Sequence, residues 1–391
     1  MKEKLNNFLS RKVYMDSAIN ACLLSFLVTI LFVFLWLMVL AGGWTPLINT
    51  FKFMQIQSVI DRVYVGEADS ETISDMAFAT MIAALEDRWS YYMTEEQYED
   101  YMQVQTNSYV GIGITLEKTE NSWHIIAVAK DSPADQAGIV ADTYLVEVNG
   151  VRLTDEEISE VAAMMRENPD HVSVVIADGE GAETAYALVM EKIYTNPVHY
   201  EMLEDSIGYI KMENFDETMA EEAIKAVETL SSDGAVGLVF DVRNNGGGYL
   251  TELCELLDYL LPEGEIFVSV SEDGKEKITK SDADCITLPM MVLVNENSYS
   301  AAEFFAAALG EYEAAEIVGT PTTGKNRSQT NVVLIDGSAV HISSKRYLTP
   351  NRVDLTEQGG LKPDLVIEDG ENDPQLKAAL ELLRKKLTNI S

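Results

Sequence analysis

The sequence predicts a multidomain α/β protein with an N-terminal transmembrane helix, a helical segment, a β-rich domain and an α/β core. Three observations support this. Residues 17–51 are uncharged and strongly apolar, residues 108–193 contain short alternating runs, and residues 198–370 alternate between strand and helix patterns. With 391 residues, the chain is also too long for a single hydrophobic core.

The composition narrows the classes of function. A net charge of -36 opposes binding to phosphate backbones, so we expect no nucleic-acid partner. The four histidines are scattered and form no HExxH pair, so neither a metal nor another cofactor is expected. We interpret Cys254 and Cys285 as small buried residues, with a single disulfide between them as the alternative.

The segment 17–43 is predicted to be a membrane anchor. Ala21 to Ala41 is almost wholly apolar, and a helix of this length spans about 30 Å, the thickness of a bilayer core. A cleaved signal peptide ending near Ala41 is the alternative. The predicted topology is single-pass in the cell membrane, with residues 1–16 in the cytoplasm and the remainder extracytoplasmic. This orientation follows from the basic residues before the span, namely Lys2, Lys4, Arg11 and Lys12.

The exported part is predicted to contain four segments. Residues 50–105 are expected to be helical, and Thr94 and Gln97 have the spacing of a capping box. Residues 106–193 are expected to form the β-rich domain, and residues 194–370 the α/β core. Within the core, Asp336-Gly337 predicts the turn of a hairpin over 331–348. Residues 371–391 are expected to form a C-terminal helix.

The first candidate for chemistry is Ser300, where a buried strand pattern gives way to a helix pattern. Ser300 and Glu303 have capping-box spacing, and helix capping alone is the ordinary explanation for such a pair. The same position also suits a nucleophile, because backbone N–H groups and the positive end of the helix dipole favour a developing oxyanion.

The second candidate is Lys325, which follows a glycine and precedes a strand-like run. A neutral amine can act as the base for a serine hydroxyl if burial lowers its pKa to about 7–8. Gln329 would lie on the same face of an extended strand and could hold the amine in position. Two alternatives are an ordinary surface lysine and a phosphate loop over 319–325. The phosphate loop is disfavoured because Asn326 replaces the magnesium-binding hydroxyl.

The third candidate is a run of glycines after another buried strand pattern. It is either a flexible turn or a site where backbone N–H groups approach a substrate carbonyl. In the second case the N–H groups of Gly247, Gly248 and Ala301 would form an oxyanion hole.

Together these segments resemble the carboxyl-terminal processing (tail-specific) serine peptidase family, which carries a PDZ domain. The chain is similar to its three signatures at Asp241–Gly248, Ser298–Glu303 and Gly324–Gln329, and also around 89–101, 347–351 and 359–368. The resemblance implies Ser300 as nucleophile, Lys325 as general base and Gln329 as the residue that orients it. The chain departs from the family pattern at Gly246, Asn326 and Ala141, none of which carries a catalytic group.

The resemblance also implies the partners. Residues 109–117 and 131–150 look like a PDZ domain, in which the stretch Gly111, Ile112, Gly113 and Ile114 would bind the C-terminal carboxylate of a substrate. Expected partners are therefore proteins with free C-terminal tails, the membrane and a second copy in a homodimer. The alternative function is a non-catalytic, membrane-tethered PDZ scaffold. Catalysis that uses His341 as the base also stays open.

Overall fold

The computed structural model describes residues 2–40, 42–119 and 122–390. The chain divides into two compact units, residues 1–81 and residues 82–391. The first unit is helical, with α1 at Lys2–Leu40, α2 at Trp44–Val63 and most of α3 at Ser70–Ala83.

Within α1, the stretch Ile19–Val39 is the one candidate membrane span among the described residues. It has 21 residues and a mean hydropathy of 2.8. An anchor and a signal sequence both fit these properties. Ala41, where the predicted apolar run ends, lies outside the described residues.

The second unit begins with a short strand that the sequence did not predict. Residues 50–105 were expected to be helical, but Tyr91–Met93 form β1, which pairs antiparallel with residues 339–341. Helix α4 follows at Glu95–Gln105, and its predicted capping box is confirmed. The Gln97 N–H donates to Thr94 Oγ1 at 3.3 Å, and the Thr94 N–H donates to Gln97 Oε1 at 3.1 Å.

The predicted β-rich domain is present, as strands around one small apolar core. Its elements are β2 Ser108–Gly111, β3 Ile114–Lys118, β4 Trp123–Val128, α5 Pro133–Gln136, β5 Thr143–Val148, β6 Val151–Arg152, α6 Ile158–Arg166, β7 Val172–Ala177, β8 Glu183–Leu188 and β9 Glu191–Tyr194. The main sheet has the order β3-β4-β5-β7-β8, so β3 lies at its edge. Val161 of α6 is fully buried in the same core as Ile125 and Leu145, which places α6 against the sheet.

The α/β core follows the predicted alternation of strands and helices. Its elements are β10 Val198–Met202, β11 Ile207–Met212, α7 Met219–Ser232, β12 Gly237–Asp241, α8 Leu250–Leu260, β13 Gly264–Val270, β14 Glu276–Ser281, β15 Met290–Val294, α9 Ala301–Glu311, β16 Ala315–Gly319, β17 Arg327–Val333, β18 Ala339–Leu348, α10 Leu355–Gln358, β19 Leu365–Val366 and α11 Pro374–Ile390. The larger sheet has the order β10-β11-β12-β15-β16-β19, and all its pairings except that of β10 with β11 are parallel.

This sheet is covered on both faces, which explains the near-continuous apolar runs of its strands. Successive side chains of β12 alternate between the two faces. Leu238 and Phe240 lie in the large core that includes residues of α7, α8 and α9, whereas Val239 lies in the smaller core that includes α11. All three side chains are fully buried.

A second, antiparallel sheet has the order β1-β18-β13-β14, with β17 paired to β18. The hairpin predicted around Asp336-Gly337 is confirmed by this pairing of β17 with β18. Because β12 and β15 run parallel, the loops that follow them begin at the same edge of the larger sheet. These loops carry the glycine run and Ser300.

The two cysteines outside the apolar span are unpaired, as expected, but they are less buried than expected. Cys254 and Cys285 are free thiols rather than a disulfide, and both are only partly buried. Burial raises the pKa of the Cys254 thiol to about 11, so it is not a reactive thiolate at neutral pH.

Candidate active site

Ser300 stands at the N-cap of α9 with an unusual backbone conformation. Its φ and ψ angles are 57° and -124°. A residue with a Cβ rarely adopts a positive φ, so this position stores strain that the surrounding contacts must hold. Ser298 supplies part of that support, because its buried hydroxyl donates to the Val242 carbonyl at 2.7 Å and accepts from the Asn295 N–H at 3.0 Å.

Glu303, in the first turn of α9, is fully buried. Its carboxylate accepts N–H donors from Ser300 at 2.9 Å, from Gly324 at 2.6 Å and from Lys325 at 2.8 Å. It also accepts the hydroxyl of Thr322. Burial raises the pKa of Glu303 and these hydrogen bonds oppose that rise. One carboxylate therefore binds the helix start to the segment that carries the lysine.

The sequence indicated Glu303 only as half of a capping box and as part of a family signature. Its contact with the lysine segment was missed. The sequence does contain a signal for this contact. Glu303 is the single charged residue in an otherwise apolar stretch over 301–309, which is rich in alanine and phenylalanine. A carboxylate in a fully buried helix requires several hydrogen-bond donors.

The Lys325 amine lies close to two aromatic rings. Its Nζ is 4.5 Å from the ring centroid of Trp89 and 5.5 Å from that of Tyr299. Burial lowers the pKa of Lys325 to about 8, and the charges of Asp87 and Glu303 partly oppose the shift. The amine is therefore far easier to deprotonate than an exposed lysine.

Ser300 and Lys325 line the same cavity, which has a volume of about 670 Å³. Gln329 also lines it, but its amide nitrogen donates to the Arg327 carbonyl at 3.0 Å and to Ser343 Oγ at 3.3 Å. A register shift between Ser328 and Gln329 breaks the simple strand alternation on which the sequence argument relied. No hydrogen bond joins Gln329 to Lys325 in the described part of the chain.

The glycine run passes directly beside Ser300. A Cβ on Gly247 would lie 2.9 Å from the Ala301 nitrogen and 2.9 Å from Ser300 Cβ, so only glycine fits. However, the Gly247 N–H already donates to Asn245 Oδ1 at 2.8 Å. Of the three predicted oxyanion donors, Gly247 is thus engaged elsewhere. Gly248 and Ala301 line the cavity with it, and Ala301 is in the first turn of α9, where N–H groups lack helical acceptors.

His341 lines the same cavity as Ser300 and Lys325. The sequence alone could not establish that these residues are neighbours. The His341 Nδ1 donates to Asn331 Oδ1 at 2.6 Å, and its ring stacks on Tyr91 at 4.6 Å. Burial and the charge of Lys325 lower the pKa of His341 to about 4. The imidazole is therefore neutral at physiological pH.

The phosphate-loop interpretation of this region loses support. Lys325 is followed by strand β17 rather than by the helix that a phosphate loop requires. Among the described residues, no cluster of three or more His, Cys, Asp or Glu side chains could hold a metal ion.

The predicted tail-binding stretch lies at a second, smaller cavity of about 210 Å³ in the β-rich domain. Gly111, Ile112, Gly113 and Ile114 all line it, and so does α6. Gly113 has a φ of 89°, and a Cβ there would overlap Ser132 at 2.2 Å. The cavity runs along β3, whose outer edge is unpaired within the main sheet.

Comparison with known proteins agrees with this architecture. Residues 206–367 match the model of Peptidase family S41, and residues 124–178 match that of the PDZ domain. Residues 206–367 therefore form a domain of peptidase family S41. The predicted resemblance is thereby confirmed, and the chain is a serine-type peptidase with a PDZ domain before its α/β core.

The chain is 28% identical over 323 residues to the carboxy-terminal processing protease CtpA of Bacillus subtilis (strain 168), covering 81% of this chain and 69% of that protein. It is 29% identical over 326 residues to a protein of Staphylococcus aureus (strain COL) named as a CtpA-like serine protease. That match covers 82% of this chain and 65% of the relative, just under two-thirds. A solved structure named as an S41 protease of Bacteroides fragilis NCTC 9343 shares the fold, with a TM-score of 0.50 and 17% identity. The match covers 85% of this chain and 97% of that one.

Proposed function

We propose that this S41 peptidase is a membrane-anchored serine endopeptidase that binds protein C-terminal tails and cleaves an upstream peptide bond with Ser300 and Lys325. One observation carries the proposal. The serine at a strained helix start and a lysine with a lowered pKa line one cavity, and the Glu303 carboxylate binds the backbone N–H groups of both residues. A simple helix cap would explain the Ser300 N–H contact with Glu303 but not the contact of the same carboxylate with the Lys325 N–H, and a surface lysine would not have a lowered pKa.

The proposed reaction is acyl transfer. Ser300 Oγ attacks the scissile carbonyl while neutral Lys325 accepts the hydroxyl proton. The N–H groups of Gly248 and Ala301 stabilise the oxyanion. The proton then passes to the leaving amine, and a water molecule hydrolyses the acyl-enzyme. Gln329 lines the same cavity, and we propose that it orients the lysine when substrate is bound.

Tail capture is proposed for the groove between β3 and α6. A peptide can add to the free edge of β3 as an extra strand, and its carboxylate can accept N–H donors from the turn at 111–114. Arg166 of α6 also lines the groove and offers a charge for the carboxylate. Captured tails would then present an upstream bond to Ser300.

Location in the cell membrane is proposed from α1. The span Ile19–Val39 suits a single-pass anchor, and the basic residues before it favour an extracytoplasmic body. Retention of the helix, rather than cleavage as a signal peptide, belongs to this proposal. A homodimer, which the family resemblance implies, would be detected by sedimentation of the detergent-solubilised chain.

The proposal is tested with the full chain in detergent and an unfolded protein that has an apolar C-terminus. Wild type should cleave it, whereas Ser300→Ala should lose at least about 10³-fold in kcat/KM. Both should bind a fluorescent tail peptide with the same Kd. Equal cleavage by wild type and Ser300→Ala would refute the catalytic assignment. Binding without cleavage by wild type would favour the PDZ scaffold.

A further inference from the structure

Asp216 is a buried carboxyl in the wall of the active-site cavity. Asp216 lines the cavity and is only 3% exposed. Its Oδ1 atom is buried and has no hydrogen-bond partner in the described part of the chain. Buried polar atoms are nearly always hydrogen-bonded, since an unpaired one is costly. The catalytic steps proposed above do not use Asp216. Its free oxygen therefore points to a ligand that enters the cavity.

The backbone places Asp216 next to the proposed oxyanion site. Phe215 forms a parallel bridge with Gly248, and the Tyr249 N–H donates to the Phe215 carbonyl at 2.7 Å. The Asp216 nitrogen lies 2.8 Å from the position that a Cβ on Gly248 would occupy. A substrate carbonyl bound at Gly248 would thus have its own side chain close to Asp216.

The walls of the cavity combine apolar surface with acid. Leu253, Phe267 and Phe304 line it together with the carboxyls of Glu213 and Asp216. Lysine and arginine side chains have this same combination, an apolar stem that ends in a cation. Since a buried acid also repels other acids, glutamate and aspartate are disfavoured there.

We propose that Asp216 binds the cationic head of a lysine or arginine on the substrate residue that supplies the scissile carbonyl. The proposal deepens the peptidase function above and rests on it. It assigns a specificity residue rather than a catalytic one, because Asp216 recognises the substrate without taking part in proton transfer.

The surroundings of Asp216 make this recognition dependent on pH. Burial and the charges of Glu252 and Glu217 raise the pKa of Asp216 to about 7. The carboxyl therefore becomes ionised as the pH rises through 7, and only the ionised form attracts a cation strongly. The other titratable groups that line the cavity are Lys325, His341, Glu213 and the tyrosines Tyr91, Tyr101, Tyr249, Tyr299 and Tyr347.

The test uses two peptides that differ only at the residue before the scissile bond, lysine in one and norleucine in the other. Norleucine keeps the stem and lacks the ammonium group. For the full-length chain in detergent at pH 8, kcat/KM should favour lysine by about tenfold or more. In Asp216→Asn the ratio should fall to about one, since an amide cannot pair with the ammonium.

The pH profile of this ratio provides a readout that general damage would not reproduce. The ratio should rise from pH 6 to pH 8 in wild type and stay flat in Asp216→Asn. Deprotonation of Lys325 affects both peptides alike and cancels in the ratio. The matched control is Glu217→Gln, which removes one charge from an exposed neighbour outside the cavity and should keep the preference for lysine.

The outcomes separate this inference from the peptidase function. If wild type cleaves both peptides equally, or if Asp216→Asn keeps the preference, the assignment of Asp216 is wrong while the peptidase stands. If neither peptide is cleaved, the peptidase function fails. Fluorescence anisotropy of both peptides on Ser300→Ala then still decides whether the site prefers lysine, and equal Kd values would overturn the inference.

Discussion

Glu303 is the residue that binds the two proposed catalytic segments to each other. Its carboxylate receives three backbone N–H groups, and those donors come from the start of α9 and from the stretch before β17. A carboxylate that accepts several hydrogen bonds in a buried site is more effective than an amide, because each bond is charge-assisted. Its contribution should therefore appear in both stability and activity.

Glu303→Gln is expected to impair both properties. The amide presents an NH₂ group to donors, so at least one N–H loses its acceptor and the free energy of unfolding should fall by about 2–4 kcal/mol. We also expect kcat to fall by about 100-fold, since Ser300 and Lys325 lose their common anchor. Urea unfolding and peptide hydrolysis measure the two effects. Glu313→Gln, at an exposed position after α9, is the control, and equal behaviour of the two variants would contradict the anchoring role.

The lowered pKa of Lys325 predicts how activity depends on pH. Burial lowers its pKa from 10.5 to about 8, and only the neutral amine can accept the proton of Ser300. Below pH 8, kcat/KM should rise about tenfold per pH unit, and it should level off above that value. Hydrolysis of one peptide from pH 6 to pH 10 measures this profile.

Lys325→Arg should be inactive throughout this range, because a guanidinium is not deprotonated. The exposed Lys362 lies outside the cavity, so Lys362→Arg is expected to keep the wild-type profile. A wild-type profile that is flat between pH 6 and pH 9 would remove the lysine from the mechanism.

At the scale of elements, the site depends on where the loops that follow the strands are placed. Parallel β12 and β15 deliver their following loops to one edge of the larger sheet, and α9 begins immediately after Ser300. Lys325 lies in the segment just before β17, which pairs antiparallel with β18 in the second sheet. No single element contains the site, so each loop conformation depends on contacts from another element.

The groove between β3 and α6 is expected to act as a separable binding element. Ile158 lines it and is 50% exposed, so Ile158→Asp should disfavour an apolar tail without burying a charge in the core. We expect the Kd of a fluorescent tail peptide to increase about tenfold or more. Val151, 47% exposed and outside the groove, is the matched site, and Val151→Asp should bind normally.

Cleavage of a short peptide that lacks a tail should be unchanged in Ile158→Asp. If that variant binds the tail peptide as tightly as Val151→Asp does, the groove is not the tail-binding site.

At the scale of the whole molecule, an apolar span precedes a strongly acidic body. The span Ile19–Val39 has a mean hydropathy of 2.8, whereas the whole chain has a net charge of -36. An acidic body is repelled by anionic lipid head groups, so attachment would depend on the span rather than on surface charge.

The full chain is therefore expected to remain with membranes after a carbonate wash and to keep its full length. Protease added to intact cells should digest residues 43–391 and spare residues 1–16. A chain without residues 17–40 should appear in the soluble fraction. A soluble and shortened wild-type product would instead show that the span is a cleaved signal sequence.

Sequence patterns alone determined most of the architecture and the candidate residues. The apolar span, the alternating strands of the β-rich domain and the buried strands of the core follow from local periodicity, which depends on which faces are buried. Ser300, Lys325 and the glycine run were found because short signatures preserve the spacing that the chemistry requires.

Only the tertiary structure decided how these residues meet, because side-chain partners far apart in sequence have no local pattern. Tyr91–Met93 form a strand because residues 339–341 are there to pair with them. The Gly247 N–H donates to the Asn245 side chain, and that side chain is in turn bound to the distant Met212 carbonyl. The lowered pKa of Lys325 and the unpaired oxygen of Asp216 both arise from burial, which becomes defined only when distant segments pack together.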